Sequence, residues 1–221
     1  MRTLLLSISF FCITLGYSQD SKFNFGVQGG LTYSDYRGNQ HAFSSDEYTE
    51  KPGLGFLGGL HVEYQLKKRM RLKLEVSYEQ KIQKEENTFT YSGKVYNFTS
   101  KKNQDYVVIP LMLKYSFRDQ NSFYVNGGPF IGFLLKSDVT NDLKKIENVN
   151  TNTIDNIALY KKTDFGVTIG VGKTFEINQK SSIYIEIREN LGLSNINNYD
   201  IEEYGNLKTN SLNLMVGYSL N

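Results

Sequence analysis

Between Phe23 and Tyr33 the chain reads Phe-Asn-Phe-Gly-Val-Gln-Gly-Gly-Leu-Thr-Tyr, so Phe23, Phe25, Val27, Leu31 and Tyr33 share one face of an extended strand while Asn24, Gln28 and Thr32 share the other. This two-residue period recurs eight times along the chain. It belongs to strands, because only a strand sends successive side chains to opposite faces. Strands of about ten residues with apolar side chains on one face, and polar residues and glycine on the other, are how a sheet is built when its outside meets lipid and its inside does not. The mean hydropathy of −0.42 does not oppose this, because only alternate strand residues face lipid while lumen and loops stay polar.

The strands expected are Phe23–Tyr33, Leu54–Leu66, Met70–Ile82, Tyr106–Phe117, Phe123–Leu135, Asp164–Phe175, Ile183–Leu193 and Ser211–Leu220. The third is the most two-faced: Met70, Leu72, Leu74, Val76, Tyr78 and Ile82 alternate with Arg71, Lys73, Glu75, Ser77, Glu79 and Lys81. Pro110 and Pro129 lie inside the fourth and fifth strands, where each removes a ladder donor and so marks a bulge or a break in pairing. The connections after strands two, four and six are short, and those after one, three, five and seven are long and polar. That is the pattern of an outer-membrane barrel with periplasmic turns and external loops. The external loops are then 34–53, 83–105, 136–163 and 194–208, and both chain ends lie on the periplasmic side. Lipid offers a strand edge no hydrogen-bonding partner, so the sheet must close, with the eighth strand against the first. Tyr33, Tyr78, Phe133 and Phe165 fall towards the outer strand ends, and Tyr64, Phe117, Phe123, Phe175 and Tyr218 towards the inner ones, as two interfacial aromatic girdles. The fold expected is all-β: an eight-stranded antiparallel transmembrane β-barrel with short periplasmic turns and long external loops.

Residues 1–18 read as a signal peptide, with basic Arg2, an apolar run from Leu4 to Leu15, and small residues at Gly16 and Ser18. The run is too short to span as a helix, which takes about 20 apolar residues. A rival reading, lipid attachment at Cys12, wants small residues where Phe10 and Phe11 stand. Residues 19–221 form one barrel domain. Cys12 is the only cysteine, so after cleavage no disulfide or thiolate metal site remains. With 25 Lys and Arg against 23 Asp and Glu, the charge balance does not suggest nucleic acid as a partner.

Four segments resemble one family. They are Val108-Ile109-Pro110-Leu111-Met112-Leu113-Lys114-Tyr115, Gly127-Gly128-Pro129-Phe130, Asp164-Phe165-Gly166, and Arg188 followed by Leu191-Gly192-Leu193-Ser194-Asn195-Ile196. In this order they resemble the PorT-type outer-membrane β-barrels, over nearly the whole chain after the signal segment. The resemblance implies an eight-stranded outer-membrane barrel without a known biochemical activity for most members, the founding one being associated with a protein-secretion machinery. Two positions depart from that pattern: Glu189, where tyrosine is frequent, and the Leu220-Asn221 ending, where barrels commonly finish on phenylalanine.

An eight-stranded barrel is just wide enough to be filled by its own side chains. The inward residues set Arg71, Lys73, Lys81, Lys114 and Arg188 against Glu63, Glu75, Glu79, Glu186 and Asp164. The structural reading is a paired network filling the lumen; the functional reading is a narrow ion path. Catalysis has little to draw on. His41, near Ser44, Ser45 and Asp46, has the composition of a triad without the spacing of one. His61 faces inward, where hydrogen bonding to Glu63 or a tyrosine is expected. Two histidines and no compact carboxylate cluster leave no metal site and no cofactor site. The in-strand glycine pairs lack the lysine and helix of a phosphate loop, and they suit bends and room for large neighbours instead. Asn97-Phe98-Thr99 matches a glycosylation sequon that is uninformative in a bacterial chain. The function expected is that of a non-enzymatic outer-membrane barrel, with membrane lipid around it and envelope or secretion-machinery proteins at its loops. The alternatives are a lipid-acting enzyme using His41, a small porin-like channel, and a soluble barrel for an apolar ligand.

Overall fold

The computed structural model describes residues 22–38, 47–91, 93–119, 121–142, 152–198 and 206–220. Residues 1–18, expected to be a signal peptide, and His41 lie outside the described residues. The strands are β1 (Phe23–Arg37), β2 (Glu47–Lys67), β3 (Met70–Tyr91), β4 (Lys94–Ser116), β5 (Phe123–Asp142), β6 (Asn152–Asp155), β7 (Thr163–Asn178), β8 (Ser181–Gly192) and β9 (Lys208–Leu220). Eight of them form a ring in the order β4-β3-β2-β1-β9-β8-β7-β5, closed by the β4–β5 ladder. All the pairings are antiparallel. The expected seam between first and last strands runs from Phe25↔Leu220 to Arg37↔Lys208.

Alternation puts the apolar face outside. Leu54, Leu60, Ile169 and Val216 are all more than half exposed, a belt that a soluble monomer would not show on this scale. Aromatic rings cluster at both levels of the belt. Phe56 lies 5.5 Å from Tyr78 at the long-loop end, and Phe23 lies 4.9 Å from Tyr64 at the short-turn end. From Phe165 to Phe175 the strand covers about 33 Å, and at the usual barrel tilt this rises roughly 25 Å, the height of an outer-membrane apolar band. The prolines interrupt pairing as their missing donors require. The β3–β4 ladder lapses between Leu74↔Leu111 and Ser77↔Val108, around Pro110, and the β4–β5 ladder lapses between Pro110↔Phe130 and Leu113↔Gly127, around Pro129.

Three features differ from the sequence reading. The segment 83–105 is not a loop: β3 and β4 stay paired to Tyr91↔Lys94, with Gly93 in the turn between them. Gly93 takes the positive φ, +75°, that such a turn needs. The signal was present in the β-prone runs Thr88-Phe89-Thr90-Tyr91 and Val95-Tyr96-Asn97-Phe98-Thr99, but the flanking lysines and glutamates read as solvated loop. Second, β5 runs on to Asp142 and takes the short β6 as a neighbour. With the start of β2 against β3, the sheet therefore continues past the membrane band along one side.

Third, Ile82, expected on the lipid face, is buried at 2% exposure. A register shift between Pro52 and Leu57 takes β2 out of line there. The Ser34 hydroxyl replaces the missing ladder partner, accepting from the Ile82 N–H at 2.6 Å and donating to its carbonyl at 3.0 Å. Gly53 leaves the Ile82 side chain its space, since a Cβ on Gly53 would strike it.

Candidate functional site

Among the described residues the lumen concentrates charged groups, and its filling follows from strand register. Lys73 stands opposite Glu63 across β2–β3 and Arg71 opposite Lys114 across β3–β4. Gly172 stands opposite Glu186 and Gly170 opposite Arg188 across β7–β8. Every inward charge named from the sequence reaches the lumen, and all but Arg71 are buried. Three layers result.

Towards the short-turn end, Glu63 accepts from Lys114 at 2.8 Å and from Arg71 at 3.4 Å. The middle layer is tightest. Arg188 grips Glu75 with both terminal nitrogens, at 2.6 and 2.8 Å, and contacts Glu186 at 2.6 Å; Lys73 meets Glu75 at 2.6 Å and Glu186 at 3.8 Å. Tyr124 donates to Glu186 at 2.7 Å, and Gln28 donates to Glu75 at 2.8 Å. The upper layer sets Lys81 against Asp164 at 3.5 Å, with Thr209 donating to that carboxylate at 2.6 Å. Glu79 is held by neutral donors instead of by a cation, accepting from Asn190 at 3.0 Å and Ser211 at 2.5 Å. Sequence placed Glu79 among matched charges; register puts amide and hydroxyl groups beside it.

Bidentate, mutually bonded pairs of this kind satisfy buried charge without water. One mid-lumen void, lined by Glu75, Glu79, Arg188, Asn190 and Asn213, measures about 10 Å³, room for about one water. The glycines make the filling fit, since a Cβ on Gly217 or on Gly172 would run into the Tyr184 or the Tyr124 ring. His61 is part of the same packing. Its Nε2 lies 2.9 Å from the Ser219 hydroxyl and its Nδ1 3.4 Å from that of Tyr184. The expected tyrosine partner is there, while no hydrogen bond to Glu63 forms. Among the described residues no three His, Cys, Asp or Glu side chains gather as metal ligands.

Sequence reasoning missed the apolar cap at the long-loop end. Tyr36, Tyr106, Val108, Phe130, Leu134, Tyr160, Ile196 and Leu207 pack together inside the mouth. The strand members sit on the inward parity, so alternation could have named them; Tyr160, Ile196 and Leu207 come from connections with no period to read. Those connections are tied across the opening by Lys161 N–H to Ile196 C=O at 2.7 Å, Ile196 N–H to Leu207 C=O at 2.8 Å and Asn198 N–H to Leu159 C=O at 3.0 Å. Burial pushes the Tyr160 hydroxyl up to about 12. Lys81 bridges cap and charge network, with its ammonium 5.0 Å from the Tyr106 ring centre.

At the short-turn end the mouth is lined by basic groups, with Lys68 and Arg69 meeting Asp119 at 2.7 and 3.1 Å. The hydrogen bonds from Lys68 and Arg69 hold the Asp119 carboxyl below its usual range.

The model of the outer membrane protein β-barrel domain matches residues 17–198. Among solved structures, the neisserial surface protein A is 14% identical, covering 90% of this chain and 97% of its own at a TM-score of 0.42. The attachment invasion locus protein Ail of Yersinia pestis is 14% identical, covering 89% and 97% at 0.39. OprG of Pseudomonas aeruginosa is 10% identical, covering 91% and 98% at 0.44. Comparison with curated proteins gives no match.

Proposed function

We propose, from the premise that this chain belongs to the outer membrane protein β-barrel domain family and sits in the outer membrane, that it is a non-enzymatic anchor presenting an extramembrane β-sheet to another macromolecule. The carrying observation is a contrast between inside and outside. Among the described residues the lumen is filled by paired charges and capped by apolar side chains, which supports an anchoring rather than a transport or catalytic role, whereas β3 and β4 run roughly 30 Å beyond Ile82 as a continuous ladder. Transport does not need such a ladder, but a contact surface does. With short turns facing the periplasm as in other barrels, this sheet stands on the external side. The resemblance of four segments to PorT-type barrels supports an envelope or secretion-machinery protein as the partner.

A photocrosslinker at Val95, which is 64% exposed near the hairpin tip, tests this in intact cells. The expected result is one discrete envelope-protein adduct, lost when residues 87–98 are replaced by a two-residue turn, together with the cellular role. Retention of that role without the hairpin would remove the proposal. Loss of it in His41→Ala, with normal folding and membrane level, would put the lipid-acting enzyme first.

A further inference from the structure

The short-turn mouth holds more positive charge than its own carboxylates balance. Lys68, Arg69, Arg71, Lys114 and Arg118 line one cavity of about 50 Å³, with Asp119 and Glu176 as the acidic members of its wall. Glu63, behind the wall, takes Lys114 and Arg71, and Asp119 takes Lys68 and Arg69. Arg118 has no ion pair among the described residues. Lys67 and Lys180 add positive charge on the exposed rim. Basic side chains that merely reach for lipid phosphates would point outwards. Arg71 and Lys114 instead face each other across β3–β4 on the lumen side, so the cluster is aimed into the mouth.

The site is also built rather than loose. The segment carrying Arg118 and Asp119 is tied to the β2–β3 turn by Ser116 N–H to Arg69 C=O at 2.9 Å, and to β7 by Thr174 N–H to Ser122 C=O at 2.9 Å. The Arg118 N–H donates to the Ser122 hydroxyl at 2.7 Å. Asn121 takes a left-handed φ of 44°, which asparagine tolerates better than most residues, and its side-chain oxygen accepts from the Glu176 N–H at 2.9 Å. Ser116, Ser182 and Thr174 add hydroxyl donors to the same wall. A guanidinium fork pairs bidentately with two oxygens of a carboxylate or a phosphate, and the hydroxyls and further cations beside it give the remaining oxygens of a phosphate partners that a carboxylate would leave unused.

We infer that this mouth is a binding site for a phosphate or phosphoester oxyanion, held by Arg118, Arg69 and Arg71, with Asp119 as the internal competitor that the ligand displaces. The inference is independent of the role given to the hairpin. The ligand is either a soluble phosphate compound or a phospholipid headgroup entering from the rim.

The test uses the full barrel in phosphate-free maltoside detergent at low salt, titrated calorimetrically with inorganic pyrophosphate. Saturable one-to-one binding is expected, weakening as salt screens the cluster. Arg118→Gln should weaken it about tenfold, the worth of a charge-assisted hydrogen bond. Asp119→Asn should tighten it, an opposite sign that general damage to the turn would not produce. Both variants are checked for the heat-dependent gel shift of a folded barrel. A second set of micelles contains phosphatidylglycerol. If that lipid competes with pyrophosphate in the unaltered protein but not in Arg118→Gln, the headgroup is the source; if it does not compete, the source is soluble. No binding, or binding indifferent to both variants, overturns the site.

Discussion

Leu74 and Lys73 are chain neighbours in opposite environments: Leu74 is 40% exposed on the apolar face, and Lys73 is fully buried against Glu75 and Glu186. Leu74 sits mid-band, opposite Val62 and Leu111. Leu74→Arg should therefore cost roughly 2–4 kcal/mol relative to Leu74→Ile, the penalty for a cation at the bilayer midplane of a barrel, measured by urea unfolding in liposomes. Equal stability of the two variants would refute this strand's facing. Lys73→Leu should cost about 3–5 kcal/mol for another reason, the loss of a buried cation between two carboxylates. Adding Glu75→Gln should then cost less than the two single changes summed, because the sites share one network. At this scale the side of the sheet on which each charge lies was legible, since a period of two fixes it. Its partner was not. Arg188 reaches Glu75 across the lumen from β8 to β3, and no local pattern encodes a contact between strands so far apart in the chain. Glu79 shows the same limit.

A strand's worth depends on what its backbone meets, and β1 shows this at two adjacent positions. A Cβ on Gly29 would meet only the Leu57 carbonyl at 3.7 Å, an ordinary contact, whereas on Gly30 it would enter the Leu214 carbonyl and lie 2.9 Å from the Met215 Cα of β9. Gly30→Ala should therefore strain the closing seam by about 1–3 kcal/mol, as overpacking does, and Gly29→Ala should be neutral or slightly stabilising. The check is the fraction of refolded barrel showing the heat-dependent gel shift; equal yields would contradict the β1–β9 register. Strand existence and pairing order were legible because lipid demands alternation and closure. Strand length was not. Above the band the outward face needs no apolar residue, so the upper halves of β3 and β4 lose the hydrophobic half of the pattern while keeping their ladder. The bulge at Pro52 was hidden for a related reason, because what replaces the missing pairing is the hydroxyl of Ser34, one strand away.

Over the whole molecule, the described residues set the charge layers and the cap one above the other along the lumen, and we propose that they act as two barriers in series. Moving an ion past Arg188, Glu75 and Glu186 means separating pairs at 2.6–2.8 Å in a space with room for about one water. The cap then presents apolar rings and a cross-tied backbone, which an ion would have to cross without hydration. Neither barrier is set by the strand count alone, which only limits the width. In planar bilayers the purified barrel should show no stable conductance of porin size. Opening the cap alone, with Tyr160→Ala and Ile196→Ala together, should leave it closed because the charge layers remain. Arg188→Ala alone should also leave it closed, since the cap remains, although the barrel is destabilised. Only the combined variant should admit ions, and current from the unaltered protein or from either partial variant would refute two seals in series.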